Sequence, residues 1–165
     1  MAQIDLKNAV VKLLDGTGTP VELEIKLGEG NLTWTEARNV EYTLNRGALD
    51  EVRLGDEIPM AVSLDATWEY ITGGDATAAV GTPVDFMKKI GAYSGNVSTD
   101  ADSCRPYAID IEVEYTPACS GVATPNERII LADFRWESID YDMVAGTLSF
   151  SGNCNVTEAT VTRYA

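Results

Sequence analysis

The chain contains no histidine, and that absence excludes more than any residue present suggests. Without imidazole there is no Ser-His-Asp or Cys-His nucleophile, no HExxH metal centre, and not the commonest general base. Bases are scarce as well: 12 Lys and Arg stand against 26 Asp and Glu, a formal charge of −14. Tight binding of nucleic acid draws its affinity from Lys and Arg displacing counterions, so this balance argues against DNA or RNA as a held ligand. It suits solubility, repulsion between copies, or a surface that does not grip polyanions. No apolar run approaches the roughly 18 residues of a membrane span, and no secretory signal pattern opens the chain, so the expectation is cytosolic synthesis and no membrane partner. The three cysteines, Cys104, Cys119 and Cys154, show no CxxC spacing, and zinc has no histidine to draw on. They read as buried free thiols. If two pair, strand order places Cys119 and Cys154 at one end and Cys104 at the other. Neither DGTG (15–18) nor GEG (28–30) continues into the GK[ST] of a phosphate loop; both read as hairpin turns, and no cofactor is expected.

What is present is alternation. With 165 residues and 45% hydrophobic content the chain suits one domain with a real core. AVVKLL (9–14) and VELEIKL (21–27) flank DGTGTP as two strands of a hairpin. NLTWTEARNVEYTLNR (31–46) alternates on even positions until Glu36 and Arg38 interrupt it, which predicts a bend or a projecting hairpin tip there. GALDEVRLGDEIP (47–59) reads as a charged connection with room for one helical turn, and MAVSLDATWEYI (60–71) as the longest clean strand. TPVDFMKKIG (82–91) is the one helix: Thr82 as N-cap, Pro83 at the first position, Asp85 completing a capping box, Phe86 and Ile90 on one face, Gly91 at the stop. ERIILADFRW (127–136) is a strand, SIDYDM (138–143) a turn, and the last three strands form an antiparallel meander. The fold expected is mainly β, an antiparallel sandwich or barrel with one short flanking helix, in a single domain spanning 1–165.

The stretch YAIDIEVEY (107–115) poses a question of its own. Its odd positions are bulky and apolar, while Asp110, Glu112 and Glu114 share the other face. Neighbours on one strand face lie roughly 7 Å apart, so each adjacent pair of carboxylates repels by about 0.6 kcal/mol even in water. The acidic face must therefore be wet or met by cations. Glycoside hydrolysis needs two acids opposed across a substrate in different environments, and a row on one face supplies no general acid, so an enzyme is not expected. Asp50, Glu51, Asp56 and Glu57 crowd one segment, yet the DxDxDG pattern of a calcium loop is absent and Arg46 and Arg53 stand nearby. Trp34, Trp68 and Trp136 fall on apolar strand faces and read as core, which argues against an aromatic sugar platform. Open strand edges remain, and these pair readily with another chain.

Three stretches together carry a likeness: GEGNLTWTEARNVEYTLNRG leading through EVRLGDEIP to a strand ending WEYI, then CRPYAIDIEVEYTP after the helix, then ERIILADFRWESIDYDMVAGTLSFSGNCN. In pattern and order they resemble the major tail, or tail tube, proteins of long-tailed bacteriophages. The resemblance implies a structural virion protein assembled in the host bacterial cytoplasm. Its copies close (hexameric) rings that stack into a tail tube, with a hairpin or long loop reaching the next ring. It implies as partners the chain itself, other tail proteins at the tube ends, a tape measure protein in the lumen, and DNA that passes without specific binding. Three acidic sets are candidates for a lumen that does not hold phosphates: Glu22 with Glu24, Asp65 with Glu69, and Asp110 with Glu112 and Glu114. For contacts between subunits the candidates lie at 36–58: Glu36, Arg38, Arg46, Asp50, Glu51, Arg53, Asp56 and Glu57. A tail-completion or secretion-type tube protein of the same fold is the near alternative. A monomeric β-sandwich module binding sugar or calcium is the alternative of a different class.

Overall fold

A computed structural model describes residues 6–69, 71–72, 80–117 and 125–164. The described strands are β1 (Ala9–Leu14), β2 (Glu22–Ile25), β3 (Leu32–Thr35), β4 (Val40–Asn45), β5 (Ala48–Leu54), β6 (Met60–Thr67), β7 (Ile71–Thr72), β8 (Val80–Gly81), β9 (Ile109–Tyr115), β10 (Asn126–Asp142), β11 (Thr147–Cys154) and β12 (Thr160–Tyr164), with one α-helix among the described residues, α1 (Pro83–Lys88), and 3-10 turns at Leu6–Asn8 and Gly91–Tyr93. The protein is mainly β and its described pairings are antiparallel.

Eight strands form one sheet in the order β2-β1-β9-β10-β11-β6-β3, with β12 also paired to β10. The sheet curls because β10 is long enough to serve both halves. Its first part pairs with β9 and β12, its second part with β11. Between them the register slips at Leu131/Phe134, where Asp133 takes φ 55, a left-handed conformation costly for a residue other than glycine. This bulge bends the strand from one half to the other. A second slip, between Trp136 and Ser138, shifts the side-chain parity once more. Each half turns one face inward, so Leu13, Leu23 and Ile111 of one half share a core with Met60, Leu64 and Phe150 of the other, and Phe86 of α1 closes it. Burying such side chains contributes about 1.5–3 kcal/mol each.

The helix has the capping box its sequence predicts: the Asp85 N–H donates to Thr82 Oγ1 at 3.3 Å, and the Thr82 N–H donates to Asp85 Oδ2 at 3.2 Å. It stops earlier than expected, at Lys89 in the left-handed region (φ 56), so Ile90 no longer shares the buried face of Phe86 and is exposed. Other expectations change too. Residues 138–142 are strand, not turn, and the turn falls at 143–146. The charged connection 47–59 contains β5. The strand expected over 60–71 ends at Thr67, while Tyr70 lies outside the described residues. Trp34 and Trp68 pack partly buried against the core, but Trp136 is exposed. Cys104 is an exposed free thiol and Cys154 a buried one, its thiol pushed up to about 12 by burial; Cys119 lies outside the described residues.

Candidate assembly surfaces

Five of the seven candidate acids belong to a single face. Cross-strand register sets Glu22 against Leu14 against Asp110, and Glu24 against Lys12 against Glu112; Glu114 lies beside Arg128. The outer face of the β2-β1-β9-β10 half therefore carries Glu22, Glu24, Asp110, Glu112 and Glu114, with Lys12 and Arg128 set among them. The Lys12 ammonium lies 3.6 Å from Glu22 and 3.9 Å from Glu114, and the Arg128 guanidinium 3.7 Å from both Glu112 and Glu114. The Tyr164 hydroxyl of β12 donates to Glu114, while Arg128 sits 5.5 Å from the Tyr164 ring centroid. The row of like charges is thus met by cations. Burial raises the Glu112 carboxyl, with Arg128 and then Lys12 pulling it back, whereas the Tyr164 hydroxyl bond lowers Glu114. Asp110 accepts the Asp133 N–H at 3.0 Å, and burial raises its carboxyl. Glu22 and Glu24 stay exposed at the β2 rim.

Asp65 belongs to the other half and Glu69 follows just beyond its strand. Asp65 accepts from Ser149 Oγ at 2.7 Å and the Asn31 N–H at 3.2 Å, and Glu69 lies 3.7 Å from Lys26. Register places Ser63, Asp65 and Thr67 beside Thr147, Ser149 and Ser151, then Ser138, Asp140 and Asp142, with Thr33 and Thr35 at the far rim. This outer face is hydroxyl-rich, and its acids face no row of bases. Arg135 is its one cation among the described strand residues, and Asp100 holds that guanidinium at 2.6 Å. The Asp102 N–H and then Arg135 keep Asp100 down to about 2. Both margins of this half lack a strand partner among the described residues: β3 on one side and residues 135–142 of β10 on the other.

The contact candidates at 36–58 resolve into a projecting hairpin of β4 and β5. Val40 faces Leu54, Tyr42 faces Val52 and Leu44 faces Leu49, so six apolar side chains line one side. Tyr42, Leu44, Leu49, Val52 and Leu54 are 58–70% exposed, where a core side chain would be near zero. The opposite side carries Glu41, Thr43, Glu51 and Arg53, with the Arg53–Glu41 pair at 2.7 Å. Arg46 and Gly47 form the tip with φ 52 and 85, and Asp50 is the extra residue where the register slips. At the root, the Gly55 N–H donates to Asn39 O at 2.8 Å, and the Ala159 N–H donates to Glu36 at 2.8 Å, which commits Glu36 inside the chain. Arg38, Asp56 and Glu57 are exposed beside the root.

The charges at 36–58 and the alternation of Val40, Tyr42 and Leu44 are legible in the sequence; that Leu49, Val52 and Leu54 of the charged connection continue the same apolar side is not. Asp50 and Glu51 lie in the hairpin, away from Asp56 and Glu57 at its root, and no group of three or more acids among the described residues converges as a metal site would require. No described helix is long and apolar enough to cross a membrane. Comparison with protein-family models, with curated proteins and with solved structures finds no match.

Proposed function

We propose that this chain is a self-assembling structural subunit whose copies join through their sheet margins and hairpins into a hollow tube, as in a phage tail. The observation that carries the reading is the hairpin. A two-stranded ribbon is marginal alone, and this one lines up six apolar side chains on one side and leaves five of them, Tyr42, Leu44, Leu49, Val52 and Leu54, exposed. The open margins support lateral growth. In the order β3-β6-β11-β10 the strands alternate in direction, so β10 of one copy meets β3 of the next antiparallel with every copy in the same orientation. Four alternating strands per copy thus suit a closed ring.

The hydroxyl-rich face with Asp65, Asp140 and Asp142 is the better wall for a DNA conduit. The acids of the other half are offset by Lys12 and Arg128 and have structural employment. A wall of hydroxyls and carboxylates offers few cations to displace the counterions of a duplex, so it does not grip the phosphates. On this reading the protein belongs to a virion tail, is assembled in the host cytoplasm, and meets other tail proteins at the tube ends. The near alternative, a completion or secretion-type tube protein, shares this assembly. Electron microscopy of the purified chain in negative stain, at rising concentration, is the test. Rings or tubes are expected; compact single particles at every concentration and ionic strength would end the reading.

A further inference from the structure

The hairpin and the β10–β11 turn leave the same four-stranded half at opposite ends. The hairpin springs from the end where β3 stops at Thr35 and β6 starts at Met60, which pairs with Cys154. At the other end Thr67 pairs with Thr147, and Thr147 with Asp142. There Met143 and Val144 stand 77% and 101% exposed in the turn, and Tyr141, 46% exposed, packs its ring 5.4 Å from that of Trp68. Met143 and Trp68 together line a cavity of about 300 Å³. Two bare apolar features therefore sit on one sheet with an eight-residue strand, about 27 Å, between them. The hairpin is rooted at the far end, so it cannot cover the turn of its own chain.

We propose that the turn end, formed by Tyr141, Met143 and Val144 over Trp68, is the seat that receives the apolar side of the hairpin from a second copy. This rests on the assembly reading above and names the surface it uses along the tube axis. The contact joins two different patches at opposite ends of the strands, so among copies that keep one orientation it repeats along the strand direction. Charge agrees with it. Arg46, at the hairpin tip, makes no ion pair among the described residues, and at the turn end Asp142 accepts the Val144 and Ala145 N–H groups with Asp140 two residues before it, while Lys88 lies on the Tyr141 ring, 5.9 Å from its centroid. A two-residue turn with both central φ positive favours Asn-Gly, yet here the first position holds arginine at φ 52. The less favourable residue places a guanidinium at the farthest point of the ribbon.

Complementation tests the seat. One variant carries M143D and V144D and keeps its hairpin; the other carries Y42D and V52D and keeps its turn end. Each alone folds, by circular dichroism, but does not elongate. Rings of each variant, assembled separately and then mixed in equal amounts, stack in pairs and no taller, because only one live contact remains between them. R46N, with a better turn, melts no lower than the wild type yet elongates at least tenfold more slowly. If M143D/V144D elongates at the wild-type rate, or the mixture yields no paired layers, the seat is wrong although tubes stand. If the wild-type chain never assembles, the assembly reading itself is wrong.

Discussion

Arg128 shows how three carboxylates in a row are tolerated on β9. Its guanidinium reaches Glu112 and Glu114 together, and Lys12 approaches the row from β1. Glu112 is buried with little access to water, so removing the cation leaves its charge poorly compensated. Arg128 itself is 43% exposed and holds both carboxylates at ion-pair distance, 3.7 Å, so screening keeps the expected loss below that of a fully buried pair. Arg128→Met should cost about 1–3 kcal/mol at neutral pH in denaturant unfolding. Adding Glu112→Gln should recover part of it, since neither charge then remains buried alone. The pH dependence has a definite sign. Burial already raises the Glu112 carboxyl, and without Arg128, which pulls it back, it rises further. A raised folded pKa gives stability that is present below the unfolded pKa and lost as pH climbs through the folded one. The Glu112 part of the Arg128→Met penalty should therefore shrink as pH falls toward the ordinary carboxylate value, first through the raised folded pKa of the variant and then through that of the wild type; a penalty independent of pH would show that the arginine matters through packing alone.

At the scale of elements, legibility depended on whether a strand kept its parity. ELEI of β2, MAVSLDAT of β6 and IDIEVEY of β9 alternate without interruption, and their buried faces are those the pattern predicts. β10 and β5 hide theirs. In β10 the slip after Trp136 moves Ile139 and Tyr141 onto the side begun by Phe134 and Trp136, so SIDYD reads as polar turn chemistry. In β5 the extra residue Asp50 separates Leu49 from Val52 and Leu54, and a period-two reading finds charge where an apolar side exists. The cations among the β9 acids were illegible for another reason: Lys12 and Arg128 come near them only through strand order. The hairpin also invites excision. Asn39 and Gly55 are bonded at 2.8 Å, so a short glycine linker can replace residues 40–54 without straining the root. Because all of β5 is exposed, the excised chain should keep its stability within about 1 kcal/mol in thermal or denaturant unfolding, while losing the ability to elongate. A body that unfolds on excision would make the hairpin part of the core fold.

For the whole molecule, net charge sets the pace of association. Every copy carries −14, and arriving copies must bring such charges together before any margin or hairpin engages. The proposed contacts respond unequally to salt. Apolar burial of the hairpin side and backbone pairing along β3 and β10 are hardly screened, and the attraction of Arg46 for Asp140 and Asp142 involves few charges. Repulsion of the whole acidic surfaces is long-ranged and strongly screened, since the Debye length falls from about 30 Å at 0.01 M salt to about 10 Å at 0.1 M. Repulsion therefore dominates the barrier at low salt, and adding salt should shorten the lag and raise the elongation rate severalfold in light scattering. Ordinary complexes steered by opposite charges show the reverse trend. A clear slowing with sodium chloride would mean that local ion pairs, rather than overall repulsion, govern the encounter, and the acidic excess would then need a role other than keeping free subunits apart.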